Sequence, residues 1–545
     1  MASHPHYLAH RPNQPPETEF EDEAIEDLNI PTRILSTDAN LEEYRRETRT
    51  GVILQTHSRI VDGKEKEVQY KLVTFTEGDP ENPKNWPKWK KWWCTSLISL
   101  VCFTVAFCSA VITADIEGVA KEFHVSNEVV FLTITLFVAG FGIGPMFFAP
   151  LSEMYGRRVI YVSTLLVGLL FIIPGAVAKN IGTLLVARAI DGIGFSAPMT
   201  IVGGTLADLW KNEERGVPMA AFSAAPFMGP AMGPLIGGFI ADHKGWRWLY
   251  WIQLILAGFI YVLMIITVPE TYAPTILLKR ARRLRKETGD QTYVTEQEIS
   301  RRPIMEELQI FILRPFQLLF VELIVLLISI YMSVLYGLLY MFFVAYPIVY
   351  QEGKHYSSSI TGLMFIPIAI GVVLSAACSP IVNNHYKKLC IKHHGAPPPE
   401  ARLIPMMLSC WLIPVGLFIF AWTSYPRVHW IGPAIAGFPV GFGFIFLYNS
   451  ANNYLVDSYQ HQAASALAAK TCIRSFWGAG VVLFTVQMYH RLGYEWAGSL
   501  LAFISLACCA IPYLFYYKGA SIRKLSKYAY SGSGVDAEAT KNFGH

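Results

Sequence analysis

The chain has 545 residues, of which 53% are hydrophobic and only 16% are charged. With a mean hydropathy of +0.35, this composition excludes an ordinary soluble protein. The charged residues are concentrated before residue 92, around 279–314 and near the C-terminus. The apolar runs between them are about 20 residues long, which is the length that a helix needs to cross a bilayer.

Twelve apolar runs predict twelve transmembrane helices, six before and six after a hydrophilic linker, so we expect an all-α membrane protein with two similar six-helix halves. The predicted spans are residues 92–116, 129–149, 159–178, 182–206, 217–240, 249–268, 316–345, 358–380, 404–422, 431–455, 465–487 and 496–517. The chain then divides into a largely disordered N-terminal tail (1–91), a first half (92–268), a basic linker (269–315), a second half (316–517) and a C-terminal tail (518–545).

Lysine and arginine are unevenly distributed between the loops on the two sides of the predicted bundle. Loops on the side of the N-terminus carry about 22 of them, with the N-terminal tail left out, and loops on the opposite side carry about 7. The linker alone contributes nine, from Lys279 to Arg314. The positive-inside rule therefore predicts that both termini and the linker lie in the cytoplasm.

The fifth predicted span contains the stretch GPAMGPLIGG. In a soluble chain, so many glycines and prolines would predict a turn. Inside a membrane, glycines let two helices approach closely, and neighbouring helices satisfy the backbone groups that proline frees. The stretch resembles the fifth-span motif of proton-coupled antiporters in the major facilitator superfamily, with motif positions at Gly229, Gly233, Pro234, Gly237 and Gly238. The alternative is an ordinary contact between small residues of two helices.

After the second predicted span comes APLSEMYGRR, which resembles the cytoplasmic gate motif of the same superfamily. Two positions depart from that motif, because Ala149 stands where glycine is usual and Met154 where a basic residue is common. The Glu153 carboxylate can cap a helix N-terminus or pair with an arginine, which would close the cytoplasmic side. An ordinary tight turn is the alternative. The matching positions are Glu153, Gly156, Arg157 and Arg158.

Further stretches narrow the resemblance. They are GDPENPKNWPKWKKWW before span one, VPETYAPTILLKRARRLRK after span six, LYGLLYMFFVAYP in span seven, and two stretches near spans ten and eleven, HWIGPAIAGFPVGFGF and NNYLVDSYQHQAASALAAKTCIRSFWGA. Together they resemble the fungal twelve-span drug:H+ antiporters over about residues 78–528. Multidrug, polyamine and secondary-metabolite exporters share these motifs, so the resemblance implies the transport machine and leaves the cargo open.

By this resemblance, spans one, four, seven and ten line a central cavity. Aromatic faces with a few amides suit flat apolar or cationic ligands. Packing, or a position at the membrane interface, is the alternative for each aromatic residue. The cavity candidates are Tyr331, Tyr336, Tyr340 and Phe343 in span seven, and Phe444, Tyr448, Asn449, Asn452 and Asn453 in span ten.

Charged residues inside spans are costly and tend to face a cavity. Span four contains Arg188, at a position where the family has arginine, and Asp191, where glutamine is frequent. Glu322 matches an acidic residue common in the family and is expected about two turns into span seven. Asp191 or Glu322 is expected to carry the coupling proton, with Asp191 preferred and Arg188 tuning it. A permanent Arg188–Asp191 ion pair is the alternative. Lys470 and Arg474 in span eleven are expected to extend towards the cytoplasmic face.

The sequence contains no recognisable catalytic motif, no metal-ligand spacing and no nucleotide-binding motif GxxxxGK[ST]. We therefore expect no enzymatic activity, no cofactor and no metal site. It favours a proton-coupled secondary transporter that exports small organic molecules by alternating access. A proton symporter that imports a nutrient is the main alternative, and a channel or receptor is a weaker one. The expected partners are the cargo, protons and membrane lipid, without nucleic acid. We expect a functional monomer in the plasma membrane, with the vacuolar membrane as the alternative.

Overall fold

The computed structural model describes residues 51–61, 64–76, 78–211, 214–299, 304–392, 398–459 and 462–529. Most of the two predicted tails, residues 1–50 and 530–545, lies outside the described residues. Within the described residues, twelve helices are long and apolar enough to cross a membrane. The predicted all-α architecture with twelve spans is therefore confirmed.

The spans are numbered in chain order, and the side of the membrane on which span one begins and span twelve ends is called the tail side below. Spans one to six are Lys88–Phe123, Asn127–Tyr155, Arg157–Ala176, Ile181–Leu209, Gly216–Lys244 and Arg247–Thr267. Spans seven to twelve are Leu323–Glu352, Ser358–Leu389, Pro399–Thr423, Ile431–Ser458, Ser465–Leu492 and Tyr494–Lys524. Shorter helices cover Ala273–Thr288, Glu296–Ile299 and Ile304–Val321.

Several spans consist of consecutive helical segments. Such changes of segment let a span bend within apolar surroundings without exposing its backbone. In span one, a 3-10 segment at Val111–Asp115 separates the α-helices Lys88–Ala110 and Ile116–Phe123. In span four, Ile181–Gly194 is followed by Ser196–Leu209. In the second half, the consecutive segments are Leu323–Pro347 and Ile348–Glu352 in span seven, Ser358–Leu363 and Ile366–Lys392 in span eight, and Pro399–Leu403, Ile404–Ser409 and Leu412–Thr423 in span nine. They are Ile431–Ile435 and Gly437–Ser458 in span ten, and Tyr494–Cys508 and Ala510–Leu525 in span twelve.

A small sheet forms within the region expected to be a disordered tail. Strands Val52–Val61 (β1) and Lys64–Val73 (β2) are antiparallel, and β2 pairs in parallel with Tyr293–Val294 (β3) of the linker. Lys71 in β2 also forms an ion pair of 2.8 Å with Asp290, and its hydrogen bond lowers the pKa of that carboxyl to about 2. The expectation of a largely disordered tail therefore does not hold for strands Val52–Val61 and Lys64–Val73, because linker residues far along the chain complete their sheet.

The glycines of the fifth-span motif bring the backbone of span five against span one. A Cβ atom on Gly229 would lie 2.5 Å from the carbonyl oxygen of Phe103. On Gly233 it would lie 3.0 Å from the backbone nitrogen of Val111, and on Gly237 2.9 Å from the Val111 carbonyl oxygen. Any side chain at these positions would therefore meet backbone atoms, which explains why small residues recur along this face.

The other motif positions face span eight, in the second half of the chain. The Pro234 carbonyl oxygen lies beside Gly362, and Gly238 lies against the backbone of Ser358. One turn further on, Asp242 accepts a hydrogen bond of 2.8 Å from the backbone N–H of Ser359. The same motif thus packs against span one on one face and joins the two halves on the other, on the side of the membrane opposite the tails.

The two halves also touch on the tail side. A Cβ atom on Gly216, at the start of span five, would lie 3.0 Å from the side-chain amide of Asn383 in span eight. In the middle of the bundle, the Thr135 hydroxyl of span two donates a hydrogen bond of 3.0 Å to the carbonyl oxygen of Ala479 in span eleven. Contacts between the halves are therefore present at both membrane faces and at mid-depth.

Candidate functional site

Arg157 is the centre of an ionic cluster on the tail side. Its guanidinium lies 3.3 Å from the Asp208 carboxylate at the end of span four and 3.8 Å from the Glu153 carboxylate at the end of span two. It also donates a hydrogen bond of 2.6 Å to the Ser152 hydroxyl. The Asp208 side chain is 18% exposed and the Glu153 side chain 39%. Because the shorter and more buried pair is stronger, Asp208 is the main partner of Arg157.

The N-terminus of span three is capped by Glu270, which lies just after the end of span six. One carboxylate oxygen accepts a hydrogen bond of 3.0 Å from the backbone N–H of Arg157, and the other accepts one of 3.2 Å from Arg158. A negative charge at this position also complements the helix dipole. Gly156 leaves room for the cap, since its φ of 99° favours glycine and a Cβ atom would lie 2.5 Å from the Glu270 carboxylate.

Of the two roles that the sequence allows for Glu153, the structure shows the pairing with an arginine, while Glu270 provides the cap. Glu153 lies in the last turn of span two, so its carboxylate pairs with Arg157 instead of reaching the backbone N–H groups. Glu270 stands in the quoted stretch VPETYAP, but no spacing in the sequence links it to residues more than a hundred positions earlier.

The second half repeats the Arg157–Asp208 ion pair of the first half. Arg402, near the start of span nine, donates to the Asp457 carboxylate at the end of span ten over 2.7 Å. Spans nine and ten are the third and fourth of their half, as spans three and four are for Arg157 and Asp208. This pair provides the residue-level symmetry between the halves that was not recognised in the sequence.

We predict that Asp208→Asn opens the tail side more than Glu153→Gln does. Asp208→Asn leaves Arg157 with only the more distant and more exposed Glu153, whereas Glu153→Gln keeps the closer pair. Loss of one partner from a largely buried ion pair costs of the order of 3 kcal/mol. The measurement is maleimide labelling of Asn383→Cys, which lies at the contact between the halves, in a background without other reactive cysteines. Asp208→Asn should raise the labelling rate several times more than Glu153→Gln. Equal rates in the two variants would contradict the ranking of the partners.

Glu322 does not lie two turns inside a span, as expected, because span seven begins at Leu323. Its carboxylate accepts hydrogen bonds from the Tyr459 hydroxyl at 2.9 Å and from the backbone N–H groups of Lys527 and Tyr528 at 3.1 and 3.2 Å. It also bonds to the Ser526 hydroxyl. Glu322 thus ties the start of span seven to the segment after span twelve, which is an anchoring geometry.

Arg188 and Asp191 form a buried ion pair within the first half. Their nearest atoms are 3.4 Å apart, and their side chains are 0% and 1% exposed. Arg188 also donates a hydrogen bond of 3.0 Å to the carbonyl oxygen of Cys108 in span one. Its guanidinium lies 4.3 Å from the ring centre of Phe137 and 5.7 Å from that of Tyr250.

The polar atoms of this pair are incompletely satisfied. One carboxylate oxygen of Asp191, the Nε of Arg188 and the hydroxyl of Tyr250 are buried without a hydrogen-bond partner among the described residues. Leaving such atoms buried without a hydrogen bond costs free energy. The oxygen of Asp191 that Arg188 does not contact is the atom at which this carboxylate could accept a proton. Tyr250 is a site residue that the sequence reasoning missed.

Two span-seven candidates lie where the halves meet. The rings of Tyr336 and Tyr340 are 5.1 Å apart, as expected for residues four positions apart on one helix face. The Tyr340 hydroxyl donates a hydrogen bond of 3.1 Å to the Ser109 hydroxyl of span one, in the other half. These two tyrosines are therefore part of the interface at which alternating access would operate.

Span ten contributes three more candidates to the same place. Phe444 stacks on Phe227 of span five with ring centres 5.7 Å apart, and Tyr448 packs edge-on against the same ring at 5.3 Å. Asn452 accepts a hydrogen bond from Lys470 of span eleven. Tyr336, Tyr340, Phe444, Tyr448 and Asn452, together with Lys470 and Arg474, are called the central cluster below.

Four cavity candidates lie outside the central cluster. Tyr331 is buried near Cys410 and Cys509, inside the second half. Phe343 extends from the ring of Tyr340 towards Phe365 of span eight, with ring centres 5.8 Å apart. Asn449 and Asn453 are half-buried on span ten and make no side-chain hydrogen bond within the described residues. The geometry does not support a cavity role for Tyr331, whose ring packs among apolar neighbours.

Lys470 and Arg474 do not extend to the membrane face, so that expectation is wrong. They are 1% and 6% exposed. The Arg474 guanidinium lies 4.4 Å from the ring centre of Tyr336 and 5.5 Å from that of Tyr448, while the Lys470 ammonium lies 4.9 Å from the Tyr448 ring. The side chains of Lys470 and Arg474 already lie over the aromatic rings. The rings alone would suit a cationic ligand, but these two positive charges would repel it.

The family model described as Major Facilitator Superfamily matches residues 98–482. Among known proteins, the chain is similar to the transporter paaT of Penicillium rubens, with 65% identity over 504 residues that cover 92% of each chain. It is also similar to the efflux pump FUBT of Fusarium oxysporum, with 42% identity over 466 residues, or 85% of this chain and 78% of that protein.

Among solved structures, the chain is similar in fold to the proton:xylose symporter XylE bound to 6-bromo-6-deoxy-D-glucose. The TM-score is 0.57, the sequence identity is 16%, and the match covers 79% of this chain and 96% of that chain.

Proposed function

Because the chain belongs to the major facilitator superfamily and is a multi-pass membrane transporter, we propose that it exports small organic molecules in exchange for protons. The observation that carries the proton coupling is the buried Arg188–Asp191 pair, in which one Asp191 oxygen has no partner within the described residues. A carboxylate in the interior of a membrane protein is poorly solvated by water, so its charged form is costly. It can therefore bind a proton in one conformation of the transporter and release it in another.

Arg188 makes the proton affinity of Asp191 depend on conformation. Its guanidinium contacts both the Asp191 carboxylate and the Cys108 carbonyl oxygen of span one. A movement of span one against span four therefore changes the distance between Arg188 and Asp191. When Arg188 moves away, Asp191 binds a proton more readily, and when it returns, the proton leaves. Proton occupancy and conformation are coupled in this way.

The export direction rests on the fifth-span motif, which resembles that of antiporters, and on the contacts of its glycines with span one. The likeness to an efflux pump is consistent with this direction. With the termini and the linker in the cytoplasm, as the distribution of lysine and arginine favours, export carries cargo from the tail side to the opposite side. We place the protein in the plasma membrane as a functional monomer.

The test uses membrane vesicles of known orientation and the metabolite that cells retain when they lack the protein. In vesicles whose tail side faces outwards, an acidic interior should drive accumulation of that metabolite. An alkaline interior should not. The opposite dependence on the sign of the gradient would indicate an importing symporter and would overturn the proposal.

A further inference from the structure

Four arginine side chains are buried among the described residues, and Arg474 differs from the other three. Arg157 lies 3.3 Å from Asp208, Arg188 lies 3.4 Å from Asp191, and Arg523 lies 2.9 Å from Glu400. The described residues provide no such carboxylate for Arg474. Its Nε is also buried without a hydrogen-bond partner.

Lys470 is in the same situation one helical turn away. Its ammonium bonds to the amide oxygen of Asn452 and lies over the Tyr448 ring, and no described aspartate or glutamate forms an ion pair with it. Residues four positions apart share a helix face, so two like charges lie side by side. Within the described part of the chain, only neutral groups compensate them.

This arrangement is costly in the interior of a bundle. A buried charge needs a partner of opposite charge, and two adjacent cations add mutual repulsion. Arg474 is nine residues into span eleven, which places it about 14 Å along the helix axis from the start of the span. A site that holds two cations at this depth is stabilised when an anion enters it.

We propose that the central cluster binds the negatively charged group of an organic anion between Lys470 and Arg474. The Arg474 guanidinium offers a planar pair of donors that matches a carboxylate, and the Lys470 ammonium adds a second positive charge. The rings of Tyr336, Phe444 and Tyr448 provide apolar faces for the rest of the molecule. The cargo class is thus an amphipathic anion with a flat apolar body.

The location supports a cargo site. Phe227 of span five packs against Phe444 and Tyr448, and Ser109 of span one bonds to Tyr340, so both halves meet at the cluster. Rocking of one half against the other would expose it to each side in turn. This inference rests on the proposed transport function and names its substrate class.

The test compares three probes of similar shape and different charge: 2-naphthoate, 2-naphthamide and 2-naphthylmethylammonium. Binding to the full-length protein in lipid nanodiscs is measured by equilibrium dialysis, which needs no pH gradient. The wild-type protein should bind 2-naphthoate about tenfold to a hundredfold more tightly than 2-naphthamide, the range expected for hydrogen bonds to charged groups. The cationic probe should bind most weakly.

Variants locate the preference. Lys470→Gln keeps a donor for Asn452 but removes the charge, and Arg474→Gln removes the other charge; each should reduce the preference for the anion to within about threefold. Lys470→Arg should retain it. Lys179→Gln removes an exposed charge on the side of the membrane opposite the tail side, and it should leave the preference unchanged.

Equal wild-type binding of 2-naphthoate and 2-naphthamide would overturn the inference, and so would a preference that survives in both glutamine variants. The wild-type comparison does not depend on whether a variant folds. Anion binding without pH-driven transport would contradict the proposed function alone. Transport driven by pH without any preference for the anion would contradict the anion site alone.

Discussion

Replacing Gly229 with alanine should abolish transport, because the added methyl group would meet the backbone of span one. Its Cβ atom would lie 2.5 Å from the Phe103 carbonyl oxygen and 2.7 Å from the Phe107 nitrogen, distances that carbon atoms do not adopt. Since backbone atoms cannot rotate away as a side chain can, spans one and five must separate. Overfilling of a packed interface costs about 1–3 kcal/mol.

The measurements are the thermal midpoint of the purified protein in detergent and its pH-driven transport. Both should fall in Gly229→Ala. The matched control is Gly258→Ala in span six, where the new methyl group would find no atom within 4 Å. This control should keep transport and should gain slightly in stability, because alanine favours a helix over glycine. Normal transport in Gly229→Ala would refute the close packing of spans one and five.

Asp191→Asn should eliminate accumulation driven by a pH gradient and leave exchange of cargo for cargo. An amide cannot take up and release the coupling proton, but exchange needs no net proton movement. The loss of pH-driven accumulation should be complete, so that these vesicles accumulate no more cargo than vesicles without protein. The two activities are measured in the same preparation of vesicles, so that differences in the amount of protein cancel.

A permanent Arg188–Asp191 pair that only fixes span four predicts another result. Arg188 would then be left buried without its carboxylate, which costs about 3–5 kcal/mol, and both activities would fall together. Glu322→Gln is the matched control, because it also neutralises one buried carboxylate, and its single amide oxygen can still accept from the backbone N–H groups of Lys527 and Tyr528. Loss of pH-driven accumulation in Glu322→Gln but not in Asp191→Asn would transfer the proton role to Glu322.

The fold could be predicted because membrane insertion leaves a strong trace in sequence. Each span must hide its polar backbone within about 20 apolar residues, so all twelve were recognised, and the resemblance to the major facilitator superfamily is confirmed. The boundaries were less certain. Span seven begins at Leu323 because the helix is interrupted at Glu322, where the backbone is extended. The apolar sequence continues on both sides of this interruption and does not reveal it.

Side-chain contacts could be predicted only where the residues are neighbours in sequence. Arg188 and Asp191 are three residues apart, so their pairing follows from helix geometry. The cap that Glu270 forms on span three depends on the packing of span six, which a single sequence does not reveal. Lys470 and Arg474 were expected to extend to the membrane surface only because they are charged. Their burial follows from the aromatic side chains of spans seven and ten that cover them.

The central claim is that cargo and protons move in opposite directions, and proton flux during cargo movement tests it most directly. Proteoliposomes with the tail side outwards would contain a pH-sensitive dye, and the metabolite retained by cells without the protein would be added outside. Inward movement of the metabolite should drive protons out, so the interior should become alkaline, and Asp191→Asn should remove this signal. Acidification of the interior that depends on the protein would show that cargo and protons move together and would contradict the account.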